Sequence, residues 1–563
     1  HEQKQGDKFI NNVVKLYKNL IIMKRFLLFT LFLLFSILLN SQNFQIIRQD
    51  SYGGYDYEEL KCILKSNEGG YLIGASSLSE PSGNKTAPCY GFTDLWILKI
   101  DNNFNIKWQK SYGGTHGDKI GGVVQDLNNN YYIGGNIKTN NNGEAGGNIT
   151  AETLGYSSLL VVKLDAQGNE IWQKSYKGNS YDFMYDMVIG NDKIYLISVS
   201  DSDIGGDKTE NCRGDYDYWI VCIDLDGNII WDKTIGGTKW EGVSSACLDA
   251  NNEFLYVLGS SKSDSGFEKT QDNYDSDYSD LWLVKINCQD ASIVADKTFG
   301  CLLGDGAGKI IFYKNHLYVS ASNSNCEAGG DKTENGKGAS DAWIVKLDTD
   351  LNIIWDKTIG GSGEDNLFNI TATDKDEFIL FGSSNSPVSF DKTEPVLSSW
   401  VDEIGNTNYI HDYWIVAIDN EANILWDKTI GSFGWEYGQA VIYNEVNSSI
   451  IVGGCSTGGI SGDKTTINHG QAYGYAYSED VWLVEMSIPS EIPSILNDNF
   501  SIYPNPATNI LHFSKAKTYK ILDIQGRVLM QSSTERNSVN ISELSEGMYF
   551  IKFEDKLCKF VKN

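Results

Sequence analysis

Seven acidic residues stand at one phase of a long repeat. Each lies seven positions after a recurring Ser or Thr: Glu58, Asp118, Asp182, Glu241, Asp305, Asp365 and Glu436. Carboxylates gathered in a ring are hard oxygen ligands of the kind that hold Ca²⁺. A second polar position travels with them: Thr86, Thr150, Thr209, Thr270, Thr333, Thr393 and Thr465. Lys precedes that Thr in six copies, and Ile149 stands there in the other. A feature present in every copy of a repeat serves each copy before it serves one site. The expectation is a structural polar network, with no metal site and no cofactor, Ca²⁺ being the ion a true ring would take.

Other chemistry finds little support. His116, His316, His411, His469 and His512 lack metal-ligand spacing, and no Cys-x-x-Cys pair occurs. There is no Gly-x-Ser-x-Gly elbow for a nucleophilic serine. The acidic run Asp272 to Asp280 lacks the Gly and terminal Glu of a Ca²⁺-binding EF-hand loop. Carboxylates are too numerous to single out a glycosidase pair. No enzyme activity is expected. Loop length says more. From the Thr to the next motif, the connecting segments run 7, 7, 7, 9, 7, 18 and 14 residues through the seven copies. The two long ones are neighbours and hold Trp400, Tyr409 and His411, then His469, Tyr473, Tyr475 and Tyr477. The first copy, next around a ring, adds Tyr90 and Phe92. Aromatic rings on one face can stack on a sugar or a protein partner, or pack on each other to order the loops. These nine residues are the candidate ligand-binding set.

The elements that would position them are strands. With 56 Gly, only 8 Pro and short apolar runs between polar turns, the 563-residue chain reads as strand and turn throughout. The repeat phrase is usually Trp, then Gln-Lys or Asp-Lys, then Ser or Thr. Its Ser/Thr recurs at spacings of 60, 64, 59, 64, 60 and 71. Arg48 and Ala295 take the Trp position in two copies. A second phrase, Asp-x-Trp, begins at Asp94, Asp217, Asp280, Asp341, Asp412 and Asp480, with Ser158-Leu159-Leu160 as a degenerate copy. Each unit reads as four strands, and seven such sheets bury their faces by radial packing. The last copy stops after its third strand, Val481 to Met486. The missing fourth is expected from Phe44 to Asp50, which would close the ring.

Net charge is −28, and residues 42–490 carry −33 of it against +4 for 1–41 and +1 for 491–563. Such a surface disfavours nucleic acid and anionic lipid. Residues 1–22 read as an upstream extension. Met23 to Ser41 has basic residues and then an uncharged run from Phe26 to Leu39, which reads as a cleaved signal peptide, leaving no stable membrane span. Export permits disulfides, and Cys62 with Cys89 is a pair to consider.

The Gly-Gly turns (Tyr52-Gly53-Gly54, Ile359-Gly360-Gly361) and the strand endings Leu258-Gly259-Ser260-Ser261 and Phe381-Gly382-Ser383-Ser384 resemble those of bacterial β-propeller repeat families. That resemblance implies an all-β, seven-bladed β-propeller over 43–487 and no particular activity. A linker, 488–499, follows. Residues 500–563 contain Tyr503-Pro504-Asn505-Pro506, Asn509-Ile510-Leu511, Gly547-Met548-Tyr549-Phe550 and Lys559-Phe560-Val561-Lys562. They resemble the type A C-terminal sorting domain of the type IX secretion system of Bacteroidota. This implies a small immunoglobulin-like β-sandwich, the type IX machinery as a partner, and a secreted or outer-surface location. Together these readings suggest a secreted or cell-surface binding or adhesion protein for a glycan or protein ligand. The alternative is a secreted polysaccharide hydrolase or lyase.

Overall fold

Each repeat folds as four antiparallel strands because its runs of seven to nine residues are bounded by polar turns. In the first, Glu58–Lys65, Tyr71–Ser77, Asp94–Ile100 and Ile106–Tyr112 pair in that order. The second and third strands are buried along their whole length, as continuous apolar runs require. In the outer strand, the first five residues stay partly or fully exposed. The computed structural model describes residues 44–489, apart from 141–142, 276, 324–325, 402–406, 471 and 474–475. It also describes 502–562, apart from 504–506, 524–526, 546 and 554–556. The upstream extension, the signal segment, most of the linker, and Tyr475 lie outside the described residues.

Among the described residues there are seven four-stranded sheets before residue 488. Their innermost strands touch one another in a closed circle, which is the radial packing of a β-propeller. The last sheet takes Glu436–Asn444, Ser449–Ser456 and Asp480–Ser487, and its outer strand is Ile46–Tyr52 from the other end of the segment. The register sets Tyr52 against Val481 and Ser51 against Trp482.

The repeated Gln or Asp of the outer strand has a specific task. In blade 3, Asp232 accepts hydrogen bonds from the Thr209 backbone N–H (3.0 Å) and from Trp219 Nε1 (3.0 Å). Asp296, Asp356 and Asp427 take the same two donors in blades 4 to 6, as does Gln109 in blade 1. In blade 7 the acceptor is Gln49, which reaches the Thr465 N–H at 3.0 Å and Trp482 Nε1 at 3.1 Å. The closing strand thus brings a side chain that the last blade lacks, as well as backbone pairing.

Six Trp side chains of the third strands (Trp96, Trp219, Trp282, Trp343, Trp414 and Trp482) are fully buried between blades. Each removes on the order of 200 Å² from water. Arg48, in the position held by Trp elsewhere, pairs with Glu485 at 2.6 Å and lies over the Phe104 ring. The sequence suggested Cys62 with Cys89, but both thiols are free, and Cys301 is bonded to Cys326. Cys62 sits in an innermost strand and Cys89 in an outer connection, so the fold holds them apart.

The C-terminal unit is described by itself. Its strands Ile502–Tyr503, Ile510–Leu522, Val528–Asn540, Gly547–Lys552 and Leu557–Lys562 join through the long second strand. The start of that strand pairs with Ile502–Tyr503 and its end with Gly547–Lys552. Leu511, Phe513, Ile521, Ile551 and Phe560 form the core. Among the described residues no helix is long and apolar enough to cross a membrane.

Candidate functional site

Six of the marker carboxylates open the innermost strands and Asp118 stands just before its own; all seven are at most 2% exposed. Each accepts the backbone N–H four residues earlier, in the turn entering its blade, from Gly54, Gly114, Gly178, Gly237, Cys301, Gly361 or Ser432. Serines at the end of the second strand donate to most of them, as Ser261 does to Glu241 (2.8 Å) and Ser200 to Asp182 (2.6 Å). These bonds tie each turn to its own blade. Among the described residues no group of three His, Cys, Asp or Glu side chains is placed to hold a metal ion.

A second buried carboxylate meets each of six markers across the turn. The Asp-x-Trp aspartates accept a loop N–H through Oδ2, as Asp94 does from Tyr90 and Asp412 from Leu397. Among the described residues, Oδ1 of Asp94, Asp217, Asp341, Asp412 and Asp480 has no hydrogen-bond donor from the chain. Burial, then the nearby Glu436, pushes Asp412 up to about 8; burial, helped by the like charge of Glu58, pushes Asp480 to about 7. A proton shared by the two carboxyls would supply the missing donor. The Lys that precedes the repeated Thr in six blades is buried beside them. Lys392 lies 4.9 Å from the Trp414 ring centroid, and burial lowers it to about 8. The first turn glycine is required by space: a methyl group at Gly360 or Gly431 would overlap the Asp341 or Asp412 carboxylate.

The two long connections each contain a short hairpin, Ser399–Val401 with Thr407–Tyr409 and Ala472–Tyr473 with Ala476–Tyr477. Trp400 is 51% exposed, and Tyr409, Tyr90 and Phe92 are also exposed. Among the described residues no ring contact joins these four. His469 is half-buried and its N–H is bound by Asp480. His411 does not belong to an exposed patch: it is 7% exposed, stacked on Trp435 with centroids 5.6 Å apart, and its Nε2 is 3.3 Å from Glu364.

The axis of the ring holds what the repeat markers did not reveal. Every innermost strand carries a register bulge, and the residue three positions after the marker sits at it. Bulges re-aim side chains. Here they aim Lys61, Gly121, Tyr185, Ser244, Gly308, Phe368 and Gln439 at a common cavity of about 290 Å³. Lys309 and Asp186 join them and pair at 3.5 Å. A second cavity of about 360 Å³, over blades 1 to 3, shares Lys61 and Tyr185 with the first and adds Lys119, Lys138, Ser76 and Thr93.

Two aromatic stacks are built on residues that bracket marker carboxylates, and Phe183 of the first lines the second cavity. Tyr156 lies on Tyr181 at 4.9 Å, and Tyr181 on Phe183 at 6.0 Å. In blades 6 and 7, Trp435 stacks on both His411 and Tyr437. Tyr181 and Trp435 each stand immediately before a marker carboxylate, so a scan of that position would have found them.

The fold therefore defines a β-propeller with a lined axial channel, followed by a separate C-terminal β-unit. Residues 501–563 match the family model described as the secretion system C-terminal sorting domain. The chain thus carries the sorting signal of the type IX secretion system, found in Bacteroidota, and the protein is secreted or attached to the outer cell surface. No curated protein matches the chain. Among solved structures, BamB from Moraxella catarrhalis is 12% identical at a TM-score of 0.35, covering 92% of this chain and 100% of that one. The Dos1 propeller is 11% identical at 0.38, covering 78% and 94%. Quinohemoprotein alcohol dehydrogenase from Comamonas testosteroni is 10% identical at 0.39, covering 84% and 80%. At these scores the likenesses carry no argument about activity.

Proposed function

We propose that the protein is a non-enzymatic binding or adhesion protein displayed outside the cell, and that it takes a glycan at the channel mouth. What supports this reading is the pair of aromatic stacks, Tyr156–Tyr181–Phe183 and His411–Trp435–Tyr437, at the marker ends of innermost strands whose bulge positions present six different residue types to the channel. Sugar rings present C–H faces that pack on aromatic rings, while their hydroxyls need the polar groups that the channel offers. The exposed Trp400 hairpin extends the same face, since its connection is bound to the glycine turn through Asp391 N–H and Gly360 C=O.

Binding of a glycan panel, with product release followed in the same samples, tests this. Retention without cleavage supports the reading. Tyr181→Ala with Trp435→Ala is expected to weaken binding at least about tenfold, at roughly 1 kcal/mol per ring. Trp400→Ala is expected to weaken it severalfold. Unchanged binding in both variants overturns the site. Cleavage of the glycan would favour the second reading, a polysaccharide hydrolase or lyase, for which Lys61, Tyr185, Asp186 and Lys309 are among the titratable groups gathered in the channel. Removal of 501–563 is expected to stop export in a type IX host and to leave the propeller folded.

A further inference from the structure

The channel differs in charge from the molecule around it. Residues 42–490 carry −33, yet the axial cavity is lined by two lysines against one aspartate. Lys309 is engaged with Asp186 at 3.5 Å. Lys61 has no hydrogen-bond or ion-pair partner among the described residues. It sits at a bulge that turns it toward the axis, between Leu60 and Cys62. Burial lowers its pKa, and Asp186 is the largest opposing influence. An ammonium group held in an enclosed space without a partner is costly unless something supplies the countercharge. The neutral side chains beside it, Asn369 and Gln439, offer further N–H donors.

The surroundings narrow the anion. Tyr185 borders Lys61 in both cavities and is 40% exposed. Its ring lines the same cavities as the cation. Ser76, Thr93 and Asn136 line the outer cavity and can meet hydroxyl groups. Further cations stand at the mouth: Lys138, and Lys119, which is paired to Glu59 at 2.9 Å. A negative surface with a positive axis repels polyanions generally but focuses the field of one small anion into the channel.

We propose that the channel is an oxyanion site, in which the Lys61 and Lys309 ammonium groups hold the carboxylate or sulfate ester of an acidic sugar while Tyr185 packs on its ring. This rests on the channel mouth being the ligand site, and it deepens that reading by naming the ligand's charge.

The test uses the full chain and three probes, glucuronate, inorganic sulfate and glucose, in titration calorimetry at low and high NaCl. Glucuronate is expected to bind more tightly than sulfate, glucose not to bind, and added salt to weaken both anions. Lys61→Gln is expected to weaken glucuronate at least about tenfold, the loss of one charge-assisted hydrogen bond, with a melting temperature no lower than that of the unaltered protein, because Lys61 has no hydrogen-bond or ion-pair partner among the described residues and its enclosed charge is a cost. Competition between sulfate and glucuronate on the unaltered protein tests for a shared site independently of that variant. Sulfate binding without glucuronate binding overturns the sugar. Binding of neither anion, or equal binding in Lys61→Gln, overturns the site. If neither anion binds while the glycan panel does, the binding role stands and this inference alone fails.

Discussion

Blade 2 and blade 6 share one backbone plan and differ at five linked positions. Blade 6 has Ser384, Lys392, Asp412, Trp414 and Gly431; at the same registers blade 2 has Ile137, Ile149, Ser158, Leu160 and Lys177. In blade 6 the five gather around the buried Asp365 and Asp412 carboxylates: Ser384 donates to Asp365, Lys392 lies over Trp414 near both carboxylates, and Gly431 makes room for Asp412. In blade 2 the set is gone as a unit. Asp118 takes the Lys138 backbone N–H at 2.8 Å where Asp365 takes the serine. The comparison teaches that these residues stabilise one another more than they stabilise the blade. A buried charge set replaced entire by apolar groups is nearly neutral, whereas the loss of one member strands the rest.

The largest effect should come from breaking the set at its cation. Lys392→Ile alone is expected to destabilise the propeller by about 3–5 kcal/mol, because Asp412 and Asp365 lose their nearest positive charge. Adding Asp412→Ser should recover about 2 kcal/mol in a denaturant-based double-mutant cycle. Additive costs would show that the five positions are independent. Next in size, Gly360→Ala is expected to cost about 1–3 kcal/mol by overlap with Asp341, and Asp341→Ser to relieve it. Lys177→Ala, at the same register of blade 2, should change stability by less than about 0.5 kcal/mol.

A smaller effect concerns pH. Burial and a facing carboxylate raise Asp412 and Asp305 to about 8, and Glu241 and Asp480 to about 7. A carboxyl raised above its unfolded value holds its proton better in the native state. Its contribution is complete below about pH 4 and is lost as pH climbs through 7 and 8. The melting temperature should therefore fall by several degrees between pH 5 and 8. Asp412→Ser should flatten that slope, since it removes one member of a pair. The buried lysines oppose the trend only above about 8, where Lys392 and Lys464 shed their protons in the native state. A melting temperature flat across pH 5 to 8 would mean that the paired carboxyls ionise freely.

The smallest effect lies in the turn between the third and fourth strands. Blade 2 has Gly168 there, with φ +78°, and blade 6 has Ala422, with φ +64°. Left-handed backbone costs a residue with a Cβ about 1 kcal/mol. Ala422→Gly should raise stability by up to that amount, less the small cost of a more flexible unfolded chain. A loss of stability would show that the Ala422 methyl packs better than its backbone strain costs.

Much of the frame was legible. The marker carboxylates, the Thr with its Lys, and the unpaired last strand could be read because a repeat shows the same requirement several times. The candidate site was legible only in part. Trp400 and Tyr409 stand out as insertions, and they are exposed. His411 was grouped with them by proximity in sequence, yet its ring packs inward against Trp435. The channel residues were missed for a definite reason. A bulge shifts the alternation of a strand by one, so a period-two reading carried through it assigns the later residues to the wrong face.

The sequence by itself determined the strand pattern, the number of units and the sorting tail, because each rests on local periodicity or a contiguous motif. It also placed the N-terminal strand as the fourth of the last unit, whereas the task of its Gln49 toward Thr465 and Trp482 emerged only from the structure. Only the tertiary structure decided that Lys61, Tyr185, Asp186 and Lys309 share one cavity. These residues come from three different blades, and nothing in the spacing of a repeat says which side chains meet on an axis. That meeting follows from ring closure, which brings seven bulged strands, distant in the chain, around the same few ångströms of space.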